Sequence, residues 1–210
     1  MKKIKKVLVS FMAAAVSAAS FGTATAASAE NVKYNVFSYY FDVPENTYVK
    51  TCNANTSYNP NIVEFVRSSN GNLGGTFTAS NIGITDTSKK TYIEYSNSSP
   101  TSKSGSLGSV TFKTKSTAPS FTVTLVKNDR NNTLVTSTVK VNRILLGDVN
   151  LDGVVNDVDL TYLSKYLAGS IKFNTAQLRA ADIDGDGEIN SIDATRLMMY
   201  VEGVNDSVLG

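Results

Sequence analysis

The sequence predicts a multi-domain chain, with an antiparallel β-sandwich over residues 30–143 and a small all-α region over residues 144–210. Residues 32–141 alternate apolar and polar side chains with the period of a strand. At Ile144–Gly147 this pattern stops, and two helical patterns follow, each behind a segment rich in Asp and Asn. These observations predict a β region followed by a helical region.

The first residues have the composition of a signal peptide. The cationic segment MKKIKK precedes the apolar run VLVSFMAAAVSAASFG, and small residues then allow cleavage after Ala26 or Ala29. The alternative is a membrane anchor, but Ser and Ala dilute the run and it is short for a span. Residues 1–29 are therefore predicted to be a leader, and the mature chain is expected to be secreted, extracellular and without a membrane span.

Composition excludes several functions. Four of the 20 Lys and Arg residues lie in the leader, so the remaining chain has fewer basic residues than its 18 Asp and Glu and is slightly acidic. It therefore has no excess of positive charge for binding nucleic acid. The chain has no His, which removes the commonest general base, and its one cysteine, Cys52, excludes an internal disulfide. Residues 30–146 have a net charge of +5 and residues 147–210 of −7. The acidic region needs a compensating cation.

The β region consists of short alternating runs. VKYNVFSYYFDV, NIVEFV, KTYIEY, GSVTFKTK, SFTVTLV and TLVTSTVKV are rich in Val, Thr, Tyr and Phe, which favour strands. Between them, segments such as SSNGNLGG and KNDRNN have the composition of turns. Short strands at this spacing predict a sandwich of the jelly-roll kind.

The helical region contains two amphipathic patterns. VDLTYLSKYLAG ends at Gly169 and DATRLMMYVEG ends at Gly203, and glycine commonly follows the last residue of a helix. Neither acidic segment is preceded by a clear helix. The junction with the β region has no Pro- or Thr-rich spacer, so we expect the two regions to lie close together.

Each acidic segment matches a twelve-residue calcium loop of the EF-hand type. Such loops supply oxygen ligands from positions 1, 3, 5, 7, 9 and 12, and glycine at position 6 allows the sharp turn. The alternative is an Asx-rich turn in which Asp157 or Asp159 caps the helix. Two loops in the same register favour two calcium ions, which would offset the negative charge. The predicted ligands are Asp148, Asn150, Asp152, Val154, Asn156 and Asp159, and then Asp182, Asp184, Asp186, Glu188, Asn190 and Asp193.

This duplicated loop–helix unit resembles a type I dockerin, the calcium-binding plug of cellulosome-like assemblies. The resemblance runs from Gly147 to about Gly203 and implies that the region binds a cohesin on a scaffold protein. It also implies contact through loop positions 10 and 11 and through the following helix. The corresponding residues are Asp157, Val158, Ser164 and Lys165 in the first repeat, and Ser191, Ile192, Met198 and Met199 in the second. The two sets differ chemically, so one binding orientation is expected to dominate. The alternative for Met198 and Met199 is that at least one packs in the core.

Residues 47–126 contain two motifs in order along the β region. Tyr58-Asn59-Pro60 is followed by Ile62 and Phe65, and a later segment carries Gly105, Leu107, Phe112, Lys113 and Lys115. In this order the two motifs resemble those of a cohesin. The resemblance implies a small adaptor scaffoldin without catalytic activity. Its dockerin would bind a cohesin, and its cohesin-like domain would receive a dockerin-bearing protein. We expect a flat sheet face of mixed polarity to do so.

Two other functions compete with the adaptor. A carbohydrate-binding module would need an exposed aromatic row such as Tyr39, Tyr48 and Tyr58, since the chain has no Trp. A polysaccharide-degrading enzyme would need paired carboxylates about 5–9.5 Å apart. The candidates in the β region are Asp42, Glu45, Glu64, Asp86, Glu94 and Asp129, which are scattered along the sequence. We rank the binding module second and the enzyme third.

Overall fold

The computed structural model of the chain describes residues 34–98, 103–114, 118–119, 139–204 and 209, together with the backbone of residues 122–128. The predicted leader, residues 1–29, lies outside the described residues. The strands are β1 (Asn35–Val43), β2 (Val49–Tyr58), β3 (Val63–Asn70), β4 (Thr76–Thr85), β5 (Ser88–Ser96), β6 (Gly105–Thr114), β7 (Thr122–Asn128) and β8 (Lys140–Leu145). The helices are α1 (Asp157–Leu167), α2 (Thr175–Ala181) and α3 (Ser191–Val201).

The strands form two four-stranded sheets, which confirms the predicted antiparallel sandwich. One sheet has the order β3-β6-β1-β8 and the other the order β4-β5-β2-β7. Among the described residues, all the strand pairs within the sheets are antiparallel. Apolar residues at alternate positions fill the space between the sheets. The largest of these fully buried side chains are Phe41, Ile93, Leu107 and Phe112.

Strand β1 is buried on both of its faces. Phe37, Tyr39, Phe41 and Val43 point into the sandwich. The alternate residues Val36, Ser38, Tyr40 and Asp42 point outward, and Val36 and Ser38 are nevertheless buried. This outward row is covered by the helical region. The apolar run VFSYYFDV therefore satisfies two cores at once, as expected of a strand with both faces covered.

The helical region has its own core, to which the sandwich contributes. Leu163, Ile183 and Leu197 pack there with Val36 of β1, and all four are fully buried. The Leu146 N–H donates to the Val36 carbonyl at 2.8 Å. The two regions therefore pack directly on each other, in agreement with the expectation from the short junction. Among the described residues, no helix is long and apolar enough to cross a membrane.

Two features differ from the prediction. Helix α2 ends immediately before the second acidic loop, so the expectation that neither loop follows a helix is wrong. It has only seven residues and shows no long apolar stripe, but Asn174 and Gln177 form a capping box at its start. Strand β8 extends to Leu145, so the sheet continues past residue 143.

Candidate functional site

The two acidic loops have the same backbone path. At position 6, Gly153 and Gly187 have φ values of 91° and 90°. At position 4, Leu151 and Gly185 also lie in the left-handed region, with φ values of 64° and 74°. Glycine adopts this region without cost, whereas a leucine there is strained by about 1–2 kcal/mol. The sequence indicated the glycine at position 6 but not the second left-handed residue.

In the first loop, two carboxylates organise the backbone. Asp148 accepts from the N–H groups of Asp152 and Gly153, both at 3.0 Å. Asp159 accepts from the N–H groups of Asn150 at 3.0 Å and Asn156 at 2.9 Å. The side chains at positions 1 and 12 therefore hold the loop in its turn through hydrogen bonds to backbone N–H groups.

The second loop repeats this arrangement. Asp182 accepts from the Gly187 N–H at 3.4 Å, and Asp193 accepts from Ile183 at 2.8 Å and Asn190 at 2.9 Å. Asp182, Asp184 and Asp193 each place a carboxylate oxygen within 4.8 Å of the others. The structure thus brings together three of the six predicted ligands of this loop as a group of carboxylates.

The same residues also cap the helices behind the loops. Asn156 is the N-cap of α1, and the Asp159 side chain accepts from the Asn156 N–H. Asn190 and Asp193 form the corresponding capping box of α3. The cap that we assigned to Asp157 or Asp159 is therefore made by Asn156, with Asp159 as its reciprocal partner. Capping and metal binding are compatible here, because both keep oxygen atoms at the helix start.

The donor set fits a calcium ion. Calcium is a hard cation that takes six to eight oxygen ligands, and each loop offers carboxylate and amide oxygens at alternating positions. Burial raises the pKa of Asp148 and of Asp182, since a charged carboxylate loses hydration there. A cation would offset both that loss and the mutual repulsion of the carboxylates. All twelve predicted ligands of the two loops stay predictions.

All eight predicted partner-binding residues lie on the surface. In the first repeat Asp157, Val158, Ser164 and Lys165 are exposed, and in the second Ser191, Ile192, Met198 and Met199 are exposed. Met198 and Met199 are 46% and 36% exposed, so the alternative that one packs in the core is wrong. The first set is mainly polar and charged, whereas the second presents three large apolar side chains. This difference is what an unequal pair of binding surfaces requires.

Helix α2 faces the sandwich. Arg179 forms a two-pronged ion pair with Asp42, at 2.6 and 2.7 Å, and its guanidinium lies 4.0 Å from the centre of the Tyr40 ring. Burial, together with the neighbouring Asp182 carboxylate, raises the pKa of Tyr40 to about 12. No local pattern predicts this contact, since its partners lie 137 residues apart in the sequence.

The described part of the sandwich contains most of the residues considered for the two competing functions. Tyr39 and Tyr58 belong to its core, so the aromatic row proposed for sugar binding is not exposed. Asp42 is paired with Arg179, and Glu64 is paired with Lys113 at 2.8 Å. Glu45, Asp86 and Glu94 are exposed, and Asp129 lies outside the described residues.

Within the part of the chain that the structure describes, one sheet face remains open. The outward residues of β2, β5 and β4 are exposed or half-buried, and they include Thr51, Asn53, Thr78, Tyr92 and Glu94. A shallow depression of about 380 Å³ lies among these strands. The face combines polar groups with one aromatic ring, which agrees with the expected mixed surface.

Comparisons with known proteins place the helical region but not the whole chain. A comparison with curated proteins gives no significant match. A non-cellulosomal cohesin from the hyperthermophilic archaeon Archaeoglobus fulgidus is similar in structure, with 17% identity, a TM-score of 0.37, and coverage of 49% of this chain and 75% of that one. The seventh ScaB type I cohesin from Pseudobacteroides cellulosolvens is also similar in structure, with 16% identity and a TM-score of 0.35. That match covers 56% of this chain and 84% of the cohesin. Residues 146–202, which hold both loops and all three described helices, match the family model described as Dockerin type I domain.

Proposed function

We propose that the chain is a secreted, non-catalytic adaptor scaffoldin of a cellulosome-like, cell-associated or free bacterial multi-enzyme complex. Its dockerin region binds a cohesin on another scaffold, and its sandwich receives a dockerin-bearing protein. One observation carries the first half of this proposal. The helical region is anchored to the sandwich through α2 and its core, while the predicted contact residues of α1 and α3 remain exposed.

Two calcium ions belong to the proposed function. One ion per loop would be held by the six oxygen donors predicted for each loop, and its positive charge would offset the repulsion among that loop's carboxylates. Positions 1 and 12 already bind the loop backbone, so these side chains hold the start of α1 and of α3 in place. Calcium binding and the orientation of the contact helices are therefore coupled.

The two contact surfaces are unequal. Val158 with Asp157 and Lys165 forms a mixed surface, whereas Ile192, Met198 and Met199 form a mainly apolar one. Apolar side chains that become fully buried contribute most to binding, and rim charges contribute less. We therefore expect the second repeat to dominate cohesin binding.

The sandwich half of the proposal rests on the cohesin-like sequence motifs and on the open sheet. The helical region covers the outer face of β1, so it leaves the outer face of β4-β5-β2 available for a partner. A chain with two free interaction surfaces on opposite regions can join two proteins without any chemistry of its own. Chains must avoid binding each other, because head-to-tail contacts would produce open filaments.

The test uses the intact mature chain, because its two regions share a core. The chain is immobilised and offered a panel of type I cohesins and a panel of dockerin-bearing proteins, with calcium and with EGTA. Met198→Glu should abolish capture of a cohesin and leave capture of dockerin-bearing proteins unchanged. Asn53→Arg, in the middle of the open face, should do the reverse.

Three outcomes would contradict the proposal. Loss of both partners with either substitution would show that the surfaces are not separate. Capture of neither class of protein would remove the adaptor function. Binding of the same chain to cellulose, starch or xylan through the Asn53 face would show that this face binds carbohydrate and not a dockerin-bearing protein.

A further inference from the structure

A β-bulge places one arginine of the sandwich against the second acidic loop. In β3, Phe65 pairs with Phe112 of β6, but Arg67 pairs with Thr111, so Val66 is an extra residue. In an unbroken strand, Phe65 and Arg67 would point to the same face. The bulge turns Arg67 to the outer face, where the helical region lies.

Arg67 lies flat against the backbone of the second loop. Its Nη2 donates to the Ile183 carbonyl at 3.4 Å. A Cβ placed on Gly185 would lie 2.5 Å from both Nε and Nη2 of Arg67, so the guanidinium occupies the space that a side chain at position 4 would need. Burial lowers the pKa of Arg67, and the carboxylates of Asp182 and Asp184 oppose that shift. The arginine is thus close to two predicted calcium ligands.

The first loop is built differently at the same position. Leu151 occupies position 4 there, in the same left-handed conformation as Gly185, and its side chain is 43% exposed. An arginine could not lie against the loop backbone at that point, because the leucine Cβ stands in its place. The two loops therefore share a backbone path but differ in charge environment.

We propose that Arg67 is a resident counter-cation of the second loop, which stabilises its metal-free form and lowers its affinity for calcium. This inference rests on the proposed function of the loops as calcium sites. Without metal, the arginine reduces repulsion among the carboxylates. With metal, its charge repels the ion. Its hydrogen bond goes to Ile183 at position 2, which is not a predicted ligand, so removing the bond takes no oxygen from the ion.

The consequence is a link between the metal and the packing of the two regions. A group that stabilises the metal-free state more than the metal-bound state weakens metal binding by that difference, because the two effects are linked. The sandwich therefore sets the calcium concentration at which the second loop fills. The first loop lacks this contact, so no arginine lowers its calcium affinity in this way.

The test reads the two loops separately in the intact mature chain. The N–H groups of Gly153 and Gly187 donate to Asp148 and Asp182, so their amide NMR signals report on one loop each during a calcium titration. Arg67→Gln should tighten calcium binding at Gly187 by about 3-fold to 30-fold. Binding at Gly153 should change by less than about twofold, since Arg67 does not touch the first loop.

Two further variants separate charge from structure. Arg67→Lys keeps the charge and should bind calcium at Gly187 as the parent chain does. Arg143→Gln removes an exposed charge from β8 of the same sheet and should change neither signal. Arg67→Gln should also lower the melting temperature more in EGTA than in saturating calcium.

Distinct results would overturn the inference. An unchanged or weaker affinity at Gly187 in Arg67→Gln, or an equal change at both glycines, would show that Arg67 has only a structural role. A Gly187 signal that does not respond to calcium in any variant would remove the second calcium site, and with it both this inference and that part of the proposed function.

Discussion

The ion pair between Arg179 and Asp42 should make a measurable contribution to the free energy of unfolding. Both side chains are 19% exposed, and the pair has two short contacts. Because the pair is largely shielded from water, removing one partner leaves the other with unpaired charge in a poorly hydrated place. The change to test is Asp42→Ala, Arg179→Ala and the double substitution.

The magnitude follows from the contacts. Losing the charge-assisted hydrogen bonds in Asp42→Ala should cost about 2 kcal/mol. Arg179→Ala also loses the contact with the Tyr40 ring and should cost about 3 kcal/mol. The double substitution should cost about 1–2 kcal/mol less than the sum of the single ones, since each single change already removes the pair.

Urea unfolding of residues 30–210 in saturating calcium measures these values. A loss of 2 kcal/mol corresponds to a drop in melting temperature of about 4–8 °C for a chain of this size. Glu64→Ala is the matched control, because Glu64 is 63% exposed in its pair with Lys113. It should cost less than about 0.5 kcal/mol. Single effects as small as the control, or a strictly additive double substitution, would show that the ion pair does not stabilise the fold.

Three further predictions concern the interior. Val36→Ala removes two methyl groups from the core of the helical region and should lower the free energy of unfolding by about 2 kcal/mol, as measured in urea. The helical circular dichroism should decrease as well. An unchanged urea midpoint would contradict the shared core. Burial raises the pKa of the Cys52 thiol to about 12, so iodoacetamide at pH 8 should label the protein only after unfolding. The pKa of the Cys52 thiol is higher in the folded state than in the unfolded state. This contribution to stability is therefore present below about pH 8.5 and is lost as the pH rises towards 12. Rapid labelling of the native chain by iodoacetamide would show that Cys52 is accessible. Gly185→Ala should destabilise the chain in EGTA by about 1 kcal/mol more than Gly169→Ala, since both residues have positive φ but only Gly185 faces Arg67; equal costs would contradict the close contact.

Local pattern predicted most of the fold. Alternation in runs such as SFTVTLV and KTYIEY identified strands, and the apolar spacing before Gly169 and Gly203 identified α1 and α3. These predictions succeeded because each segment is long enough for its period to show. Helix α2 failed this condition, since it has seven residues and buries only Ala180 and Ala181 fully.

Contacts between distant residues could not be predicted from the sequence. The spacing of Asp and Asn identified both loops, because their ligands lie within twelve positions. Arg67 reaches the second loop only because a bulge reverses its direction in β3, and Asp42 meets Arg179 only because β1 has both faces covered. Neither of these two contacts can be predicted from the periodicity of the local sequence.

Calcium calorimetry on residues 30–210 measures directly whether the two loops bind metal. We expect two calcium ions per chain. Asp148→Ala and Asp182→Ala should each reduce the number to one, because each removes the position-1 ligand that also binds the loop backbone. Absence of calcium binding, or a stoichiometry that neither substitution changes, would contradict the claim that this helical region is a calcium-dependent docking module.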